Sequence, residues 1–321
     1  MKQRHENYIR LVGGVMDYVQ KIVDLAMREQ RKIIIWGFAR AGRFWRHLIE
    51  ECDGRCKVEY IIDENQTLSI CCDARPAIFR SSLLEYLDAK EYLILSTISG
   101  ISDILDKAKR YGYQLGENLY DVYADIGESY IDYLQKKNKS VDFKSVLKDP
   151  CYGKNINPYT PFQNSCVDKV FNTIASLEDE ISFFDIGCGK ASVLVLAYMY
   201  GIEKLGGVEL SRDVYAQACI NTKSLGIECD LYNQSATECN ALDDYNIFFF
   251  YNSFQGELCQ IMFNNLEKSY ERCNRNLYLV YANPFCHRMV LKNGYFKLYK
   301  QMLIDNFDPI LNIYRIDRKA Q

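Results

Sequence analysis

The stretch "FFDIGCGKASVLVLA", residues 183–197, ends an apolar segment in a carboxylate and follows it with a glycine-rich turn. Gly187 and Gly189 allow the backbone to bend sharply and to approach a ligand closely. An apolar helix is predicted to begin directly afterwards, and the free N–H groups of its first turn would point at that ligand. Asp185 would repel a pyrophosphate and attract an ammonium group, so the pattern favours a ligand with a cationic head.

A second carboxylate lies at the spacing that ribose recognition uses. Glu209 follows Gly189 by 20 residues and stands at the end of the next predicted strand, in "GGVEL". At that offset a carboxylate can accept hydrogen bonds from both hydroxyls of a ribose. The two carboxylates together favour a nucleoside that carries a positively charged amino acid. S-adenosylmethionine meets both requirements.

On these motifs the second half of the chain resembles the class I S-adenosylmethionine-dependent methyltransferases. Their glycine motif, D-x-G-x-G-x-G, corresponds here to Asp185, Gly187, Cys188, Gly189 and Ala191, with alanine in place of the last glycine. The methyl group of that alanine is expected to crowd the turn slightly. The resemblance implies a seven-stranded sheet with an antiparallel last strand and a methyl-donor site at the glycine turn.

The resemblance also implies which residues hold the rest of the donor. It assigns the ribose to Glu209, with Leu210 beside it. The third motif of the family, which often offers an aspartate to adenine, corresponds to the segment "NQSA", where Ser235 stands in place of that aspartate and Ala236 follows. We expect Ser235 or Gln234 to hydrogen-bond the base.

Three residues are candidates for the chemistry itself. Asn252 opens the fourth motif, in "FFYNSF", where Ser253 replaces a proline of the family pattern. Methyl transfer requires an aligned acceptor and the exclusion of water, and the side-chain carbonyl of Asn252 could accept a hydrogen bond from an amine or hydroxyl. Tyr251 could line the acceptor pocket, and His287, after the fifth strand, could act as a base. The alternative for all three is an ordinary structural role.

An earlier stretch, "KIIIWGFARAGRFW" at residues 32–45, carries the dinucleotide-binding pattern G-x-G-x-x-G with one replacement. Its three positions are Gly37, Ala39 and Gly42, and Asp63 ends the next predicted strand 21 residues later. The stretch resembles the N-terminal Rossmann domains that bind nucleotides or sugar nucleotides in bacterial glycan-modifying proteins. It predicts either a second nucleotide site, for which NAD(P) is one candidate, or a scaffold without a ligand.

Strands and helices must hold both turns in place. Short apolar runs alternate with amphipathic segments over residues 32–126 and again from residue 161. This alternation predicts an α/β fold with two doubly wound, Rossmann-like domains. The late segments "YFKLYKQM" and "ILNIYRID" predict an antiparallel pair at the edge of the second sheet.

The predicted domains are separated by a stretch in which proline and glycine cluster. They are residues 1–126, with an N-terminal amphipathic helix, a linker at 127–160, and residues 161–321. Tyr152 and Tyr159 lie in the linker, where a loop could cover the site or simply pack against it. The first helix could also form a homodimer contact.

Composition limits the classes of partner. The chain of 321 residues has a formal net charge of −3 and 48% apolar residues, which argues against bulk nucleic acid as a partner. No apolar run is long enough for a membrane span, and the first residues are too polar for a secretory signal, so we expect a cytoplasmic protein. The 13 cysteines form no CxxC pair, which favours reduced, buried thiols over a disulfide framework or a metal site.

These patterns predict methyl transfer from S-adenosylmethionine to a nitrogen or oxygen nucleophile of a small molecule or glycan precursor. Two alternatives stay open. One is an NAD(P)-dependent oxidoreductase or sugar-nucleotide-binding protein centred on the first turn. The other is a sensor or scaffold that binds S-adenosylmethionine without catalysis.

Overall fold

The structure is a computed structural model, and it describes residues 2–54, 56–65, 77–145, 155–162, 167–303 and 310–319. Contacts between Cα atoms divide the chain into two compact units. The described part of the five-stranded unit lies within residues 12–137, and that of the seven-stranded unit lies within residues 1–11, 138–162 and 167–321. The stretch predicted as a linker is therefore shared between the two units.

The sheet of the five-stranded unit is parallel throughout, with the strand order β3-β2-β1-β4-β5. Its strands are β1 (Lys32–Trp36), β2 (Val58–Ile62), β3 (Ile78–Phe79), β4 (Tyr92–Ser96) and β5 (Leu119–Asp121). The sequence predicted β1, β2 and β4 as strands, and the structure confirms them. It did not predict β3 and β5, because two or three residues are too few to show a period.

The α-helices described in residues 2–137 are α1 (Lys2–Arg28), α2 (Arg40–Asp53), α3 (Ser102–Arg110), α4 (Val122–Asp125) and α5 (Tyr130–Lys137). The predicted stripe of α1 is buried, with Val12, Val15 and Val19 fully covered. Among the described helices, none has the length and apolar character needed to cross a bilayer.

The seven-stranded unit contains a mixed sheet of the order β11-β12-β10-β9-β6-β7-β8. Its strands are β6 (Ser182–Ile186), β7 (Lys204–Glu209), β8 (Asp230–Asn233), β9 (Ile247–Tyr251), β10 (Leu277–Ala282), β11 (Lys297–Leu303) and β12 (Ile310–Ile316). The strands β6 to β10 pair in parallel, whereas β12 is antiparallel to both of its neighbours. The predicted antiparallel pair at the sheet edge is confirmed.

The helices of this unit are α6 (Val167–Ile174), α7 (Ser192–Met199), α8 (Arg212–Ser224), α9 (Glu257–Arg272) and α10 (His287–Val290). Helices cover both faces of a parallel sheet, so its central strands are continuous apolar runs. β9 reads "IFFFY" and β10 reads "LYLVYA", and every residue but the last of β9 is buried. α7 is apolar nearly all round and is correspondingly buried.

The parallel strands of the seven-stranded unit end at one edge of the sheet. The chain runs from β6 to β7 and β8 on one side, whereas β9 and β10 lie on the other side. The strand order therefore reverses between β6 and β9. Ligands of open α/β sheets bind at the carboxyl ends of the strands beside such a reversal.

Candidate functional site

A cleft opens at the carboxyl ends of β6, β7, β8 and β9. It encloses about 930 Å³ of empty space, counted out to its open mouth, and all of its lining belongs to the seven-stranded unit. All nine residues predicted to hold the donor line the cleft, namely Asp185, Gly187, Cys188, Gly189, Glu209, Leu210, Ser235, Ala236 and Asn252. The catalytic candidate Tyr251 lines it as well.

Asp185 is a buried carboxylate at the end of β6. Its side chain is the last polar group of β6 and the residue is only 3% exposed. No donor among the described residues hydrogen-bonds its carboxylate. Burial and, second, the nearby charge of Glu209 raise the pKa of Asp185 well above the usual carboxyl range. A cationic ligand in the cleft would supply the missing partner and return this carboxyl to its charged form.

Glu209 holds the glycine turn with one carboxylate oxygen and its own loop with the other. The N–H of Gly189 donates to Oε2 at 3.0 Å, and the N–H of Ser211 donates to Oε1 at 2.8 Å. A carboxylate has about four acceptor positions. The two oxygens of Glu209 thus lie at the glycine turn and at the loop after β7, on the lining of the cleft.

The two glycines of the turn have left-handed backbones, with φ of +77° at Gly187 and +55° at Gly189. The sequence predicted that they leave room for a ligand, but neighbouring side chains fill that room. A Cβ at Gly187 would lie 2.3 Å from Ser253 Oγ, and one at Gly189 would lie 2.2 Å from Tyr159 Cε2. These glycines therefore let the walls of the cleft pack directly on the turn.

Ala191 shows the same conformation without being glycine. Its φ is +65° and its ψ is 22°, and it forms the N-cap of α7. A left-handed backbone costs a residue with a Cβ about 1–2 kcal/mol. Alanine at this position therefore destabilises the fold through its backbone conformation, although its side chain is completely buried.

We expect Ala191→Gly to raise the free energy of unfolding by about 0.5–1 kcal/mol, because relief of the strained φ exceeds the entropy that glycine adds to the unfolded chain. Urea unfolding measures the change. Ala197→Gly is the matched control, since Ala197 has ordinary helical geometry in α7, and there we expect a loss of about 1 kcal/mol or more. Destabilisation by both substitutions would contradict the strain at Ala191.

The segment 155–162, "NINPYTPF", forms one wall of the cleft. The sequence analysis left open whether the loop with Tyr159 covers the site or simply packs against it, and it assigned no residue of this segment to donor binding. Asn157 N–H donates to the carbonyl of Ser253 at 3.1 Å, and the Ile156–Phe254 pair forms an antiparallel bridge. Tyr159 lies on Gly189 and donates its hydroxyl to the carbonyl of Phe143 at 2.9 Å. The sequence feature that could have indicated this wall is the pair of prolines, Pro158 and Pro161, where the second predicted domain begins. Tyr152, the other tyrosine considered, lies outside the described residues.

The catalytic candidates separate into two places. Asn252 and Tyr251 line the cleft, and the ring of Tyr251 packs edge-on against Phe162 at 5.2 Å between centroids. His287 is not among the described residues of the lining. Its Nδ1 pairs with the hydroxyl of Tyr314 at 2.7 Å, on the antiparallel strand β12. His287 therefore hydrogen-bonds to a residue of the sheet and does not face the described part of the cleft.

Ser253, at the position where the resemblance leads one to expect proline, forms a side-chain hydrogen bond. Its hydroxyl donates to the carbonyl of Ile186 at 2.7 Å, which joins the end of β9 to the start of the glycine turn. Ser235 pairs with the hydroxyl of Thr237 at 2.8 Å, and both line the cleft beside Ala236. Gln234 is not among the described lining residues. The sequence analysis did not identify Thr237 as a residue of the site.

Contacts within the five-stranded unit explain the glycines of its turn and the aspartate after β2. The N–H of Phe38 donates to Asp63 Oδ2 at 2.7 Å, so the carboxylate ties the turn to the end of β2. A Cβ at Gly42 would lie 2.1 Å from the carbonyl oxygen of Gly37. Ala39 is the exposed N-cap of α2. A nucleotide at this turn stays a prediction.

Nine of the cysteines lie in the described part of the chain, and all nine are free thiols. Cys71, Cys72, Cys151 and Cys166 lie outside it. Among the described residues, no three histidine, cysteine or acidic side chains come together as a metal site.

A scan against protein-family models finds no match, and a search of curated proteins finds none. Among solved structures, magnesium protoporphyrin IX methyltransferase from Synechocystis PCC 6803, with bound SAM, is 16% identical with a TM-score of 0.39, covering 48% of this chain and 78% of that one. A SAM-dependent methyltransferase from Aquifex aeolicus is 11% identical with a TM-score of 0.39, covering 47% and 88%. Ribosomal protein L11 methylase from Lactobacillus delbrueckii subsp. bulgaricus is 12% identical with a TM-score of 0.38, covering 51% and 84%. Similarity this low carries no functional inference, which must come from the site.

Proposed function

We propose that the chain transfers the methyl group of S-adenosylmethionine to a nitrogen or oxygen atom of a small molecule or glycan precursor. The observation that carries the proposal is the buried carboxylate of Asp185, which lacks a donor among the described residues and shares one cleft with Glu209. An amino group and a ribose diol are the two chemical groups that these carboxylates suit. S-adenosylmethionine presents both.

The types of the lining residues suit the chemical groups of that donor. Asp185 would hold the ammonium group, the carboxylate of Glu209 would hold the ribose hydroxyls, and Ser235 with Ala236 would lie against the base. When bound, S-adenosylmethionine supplies a methyl group on a sulfonium whose sulfur keeps the electron pair of the broken bond. The protein's part is to align the acceptor, for which Asn252 is placed, and to exclude water with Tyr251 and other apolar walls.

The charges of the cleft favour an acceptor without phosphate at its reacting end. The described lining contains the carboxylates of Asp185 and Glu209 and no lysine, arginine or histidine. A polyanion would therefore be repelled in this part of the cleft. The same lining offers no imidazole or lysine as a general base, which favours an acceptor that attacks as a neutral nucleophile, such as an amine nitrogen.

We expect Asp185→Asn to weaken S-adenosylmethionine binding by about 1.5–3 kcal/mol, roughly 10- to 150-fold, because a charged hydrogen bond is lost. Calorimetric titration of the purified protein measures this, after mass spectrometry has excluded co-purified ligand. Asp179→Asn, which removes an exposed carboxylate outside the described lining, is the control and should bind as the wild type does. No binding by the wild type at millimolar ligand would refute the proposal.

Asp185→Asn, which should weaken ligand binding, should not lower the stability of the ligand-free protein. Because the folded state raises the pKa of Asp185, it binds a proton that the unfolded chain releases, and the wild type loses stability as the pH rises above about 4. Asp185→Asn removes that loss, so its ligand-free form should be at least as stable as the wild type at pH 7. Weak binding by a well-folded variant then cannot be attributed to unfolding.

Transfer itself is tested with methyl-labelled S-adenosylmethionine and size-fractionated cell extract. Label in a small-molecule fraction that requires the wild-type protein and is absent with Asp185→Asn supports an enzyme. Donor binding without transfer to any fraction would favour the alternative of a sensor or scaffold.

A further inference from the structure

Two asparagines stand side by side at the ends of adjacent parallel strands. Asn252 follows β9 and Asn283 follows β10, one residue beyond the paired residues Tyr251 and Ala282. Both have left-handed backbones, with φ of +50° and +58°. Asparagine tolerates this conformation better than most residues, so the sequence can hold both side chains at the mouth of the sheet.

The side chains form a directed hydrogen bond. Asn283 Nδ2 donates to Asn252 Oδ1 at 2.7 Å. A third asparagine fixes the backbone of the same residue, since Asn157 Nδ2 donates to the carbonyl oxygen of Asn252 at 2.8 Å. Asn252 is therefore held at its main chain and at its side-chain carbonyl by residues from two other segments.

The bond determines which end of the Asn252 amide is left for a ligand. Asn252 lines the cleft, whereas Asn283 is not among the described lining residues. The carbonyl end is turned to Asn283, so the amide nitrogen, which has no partner among the described residues, is the end that remains for the cleft. This differs from the sequence-based expectation that the carbonyl of Asn252 would receive the acceptor.

We propose that Asn283 is a positioning residue that orients the amide nitrogen of Asn252 toward the cleft, so that the methyl acceptor is recognised through a hydrogen-bond acceptor atom beside its nucleophile. The proposal rests on the proposed function, because it takes this cleft as the donor site. A carbonyl, ether or ring nitrogen next to the reacting atom would suit the amide nitrogen. An acceptor that offers only N–H or O–H donors would not.

Two adenosyl ligands serve as probes that do not require the acceptor. Sinefungin carries an ammonium group where the methyl group stands in S-adenosylmethionine, and S-adenosylhomocysteine has nothing there. The ratio of their dissociation constants therefore reports which end of the Asn252 amide faces the transfer position. In the wild type the amide nitrogen opposes the ammonium, and we expect sinefungin to gain no advantage.

Asn283→Asp should reverse that preference. The new carboxylate can only accept a hydrogen bond, so the Asn252 amide should turn its nitrogen toward it and its carbonyl toward the cleft. We expect the preference for sinefungin to rise about tenfold, as for one hydrogen bond to a charged group. Asn283→Ala frees the amide without adding charge and should raise the preference less. Asn252→Asp keeps an oxygen that can accept from Asn283 and places the second carboxylate oxygen in the cleft. This variant should prefer sinefungin whether or not Asn283 has a positioning role, so it serves as the positive control for the probe.

The outcomes separate the two proposals. If neither ligand binds the wild type, the proposed function fails. If both bind and the ratio is unchanged in Asn283→Asp and Asn283→Ala, the function stands and the positioning role is overturned. A rise in Asn283→Asp with Asn283→Ala equal to the wild type would assign the effect to added charge and would also overturn it. A merely structural role for Asn283 would weaken both ligands equally and leave the ratio constant.

Discussion

Replacement of Asp142 with alanine is expected to lower the free energy of unfolding by about 3 kcal/mol, because it leaves a buried ammonium group without its counter-ion. The side chain of Lys190 is 0% exposed, and its Nζ lies 2.6 Å from Asp142 Oδ2. Nζ also donates to the carbonyl and hydroxyl oxygens of Ser145, both at 2.7 Å. Neither of these oxygens carries a charge that could replace the carboxylate.

The opposite substitution, Lys190→Met, should cost less, about 1 kcal/mol. The Asp142 side chain is 27% exposed, so water can reach the carboxylate. It also keeps the N–H groups of Lys144 and Ser145 as donors, at 3.1 and 2.9 Å. Methionine fills the space of the lysine stem without a charge. Urea unfolding of both single variants and of the double variant measures the asymmetry, and equal losses would contradict it.

The pH dependence gives an independent check on the same pair. Although burial alone would raise the pKa of Asp142, hydrogen bonds from Lys190 and Ser145 lower it to about 2. A lowered folded pKa contributes stability above the unfolded value of about 4, and that contribution is lost as the pH falls toward 2. The stability difference between the wild type and Asp142→Ala should therefore shrink over this interval. A constant difference would mean that the carboxylate acts only through its size.

This pair also bears on the site, because Lys190 is part of the glycine turn. Asn221 of α8 links the two partners, since its Nδ2 donates to the carbonyl oxygens of both Lys190 and Asp142 at 2.9 Å. Tyr159, whose ring covers Gly189, lies with its centroid 5.7 Å from Nζ of Lys190. Loss of the ion pair should thus loosen the wall of the cleft as well as the fold.

The regular parts of this molecule could be predicted from the sequence because local patterns carry them. "SFFDI" and "IFFFY" are apolar runs of strand length, and the offset from Gly189 to Glu209 reflects one helix and one strand between two turns. The same logic placed Asp185 at a strand end. These features need no knowledge of the distant parts of the chain.

The contacts that complete the site could not be predicted, because they join segments far apart in the sequence. Asp142 and Lys190 are 48 residues apart, and Asn157 reaches across 95 residues to Asn252. Lys190 stands at a position of the glycine motif where any residue is allowed, so nothing marked it as buried. His287 follows a strand end in the sequence but is not in the described lining of the cleft, because proximity along the chain does not fix where a side chain packs.

Substitution of Glu209 is expected to have the largest effect on ligand affinity. Two charged hydrogen bonds to the ribose, each contributing about 1.5–3 kcal/mol, would be lost in Glu209→Ala, which corresponds to a loss of at least 100-fold. Glu209→Gln should lose nearly as much. Its amide offers one oxygen where the N–H groups of both Gly189 and Ser211 need an acceptor, so its nitrogen must face one of these donors.

Titration with S-adenosylhomocysteine and its 2′-deoxy analogue distinguishes ribose recognition from collapse of the turn. The wild type should bind the deoxy analogue more weakly, because one carboxylate oxygen loses its hydroxyl donor. Glu209→Gln should bind both ligands weakly and discriminate less between them, whereas Glu203→Gln, at an exposed carboxylate just before β7, should match the wild type. If Glu209→Gln weakens both ligands but keeps the wild-type ratio, Glu209 supports the turn through Gly189 and does not read the ribose.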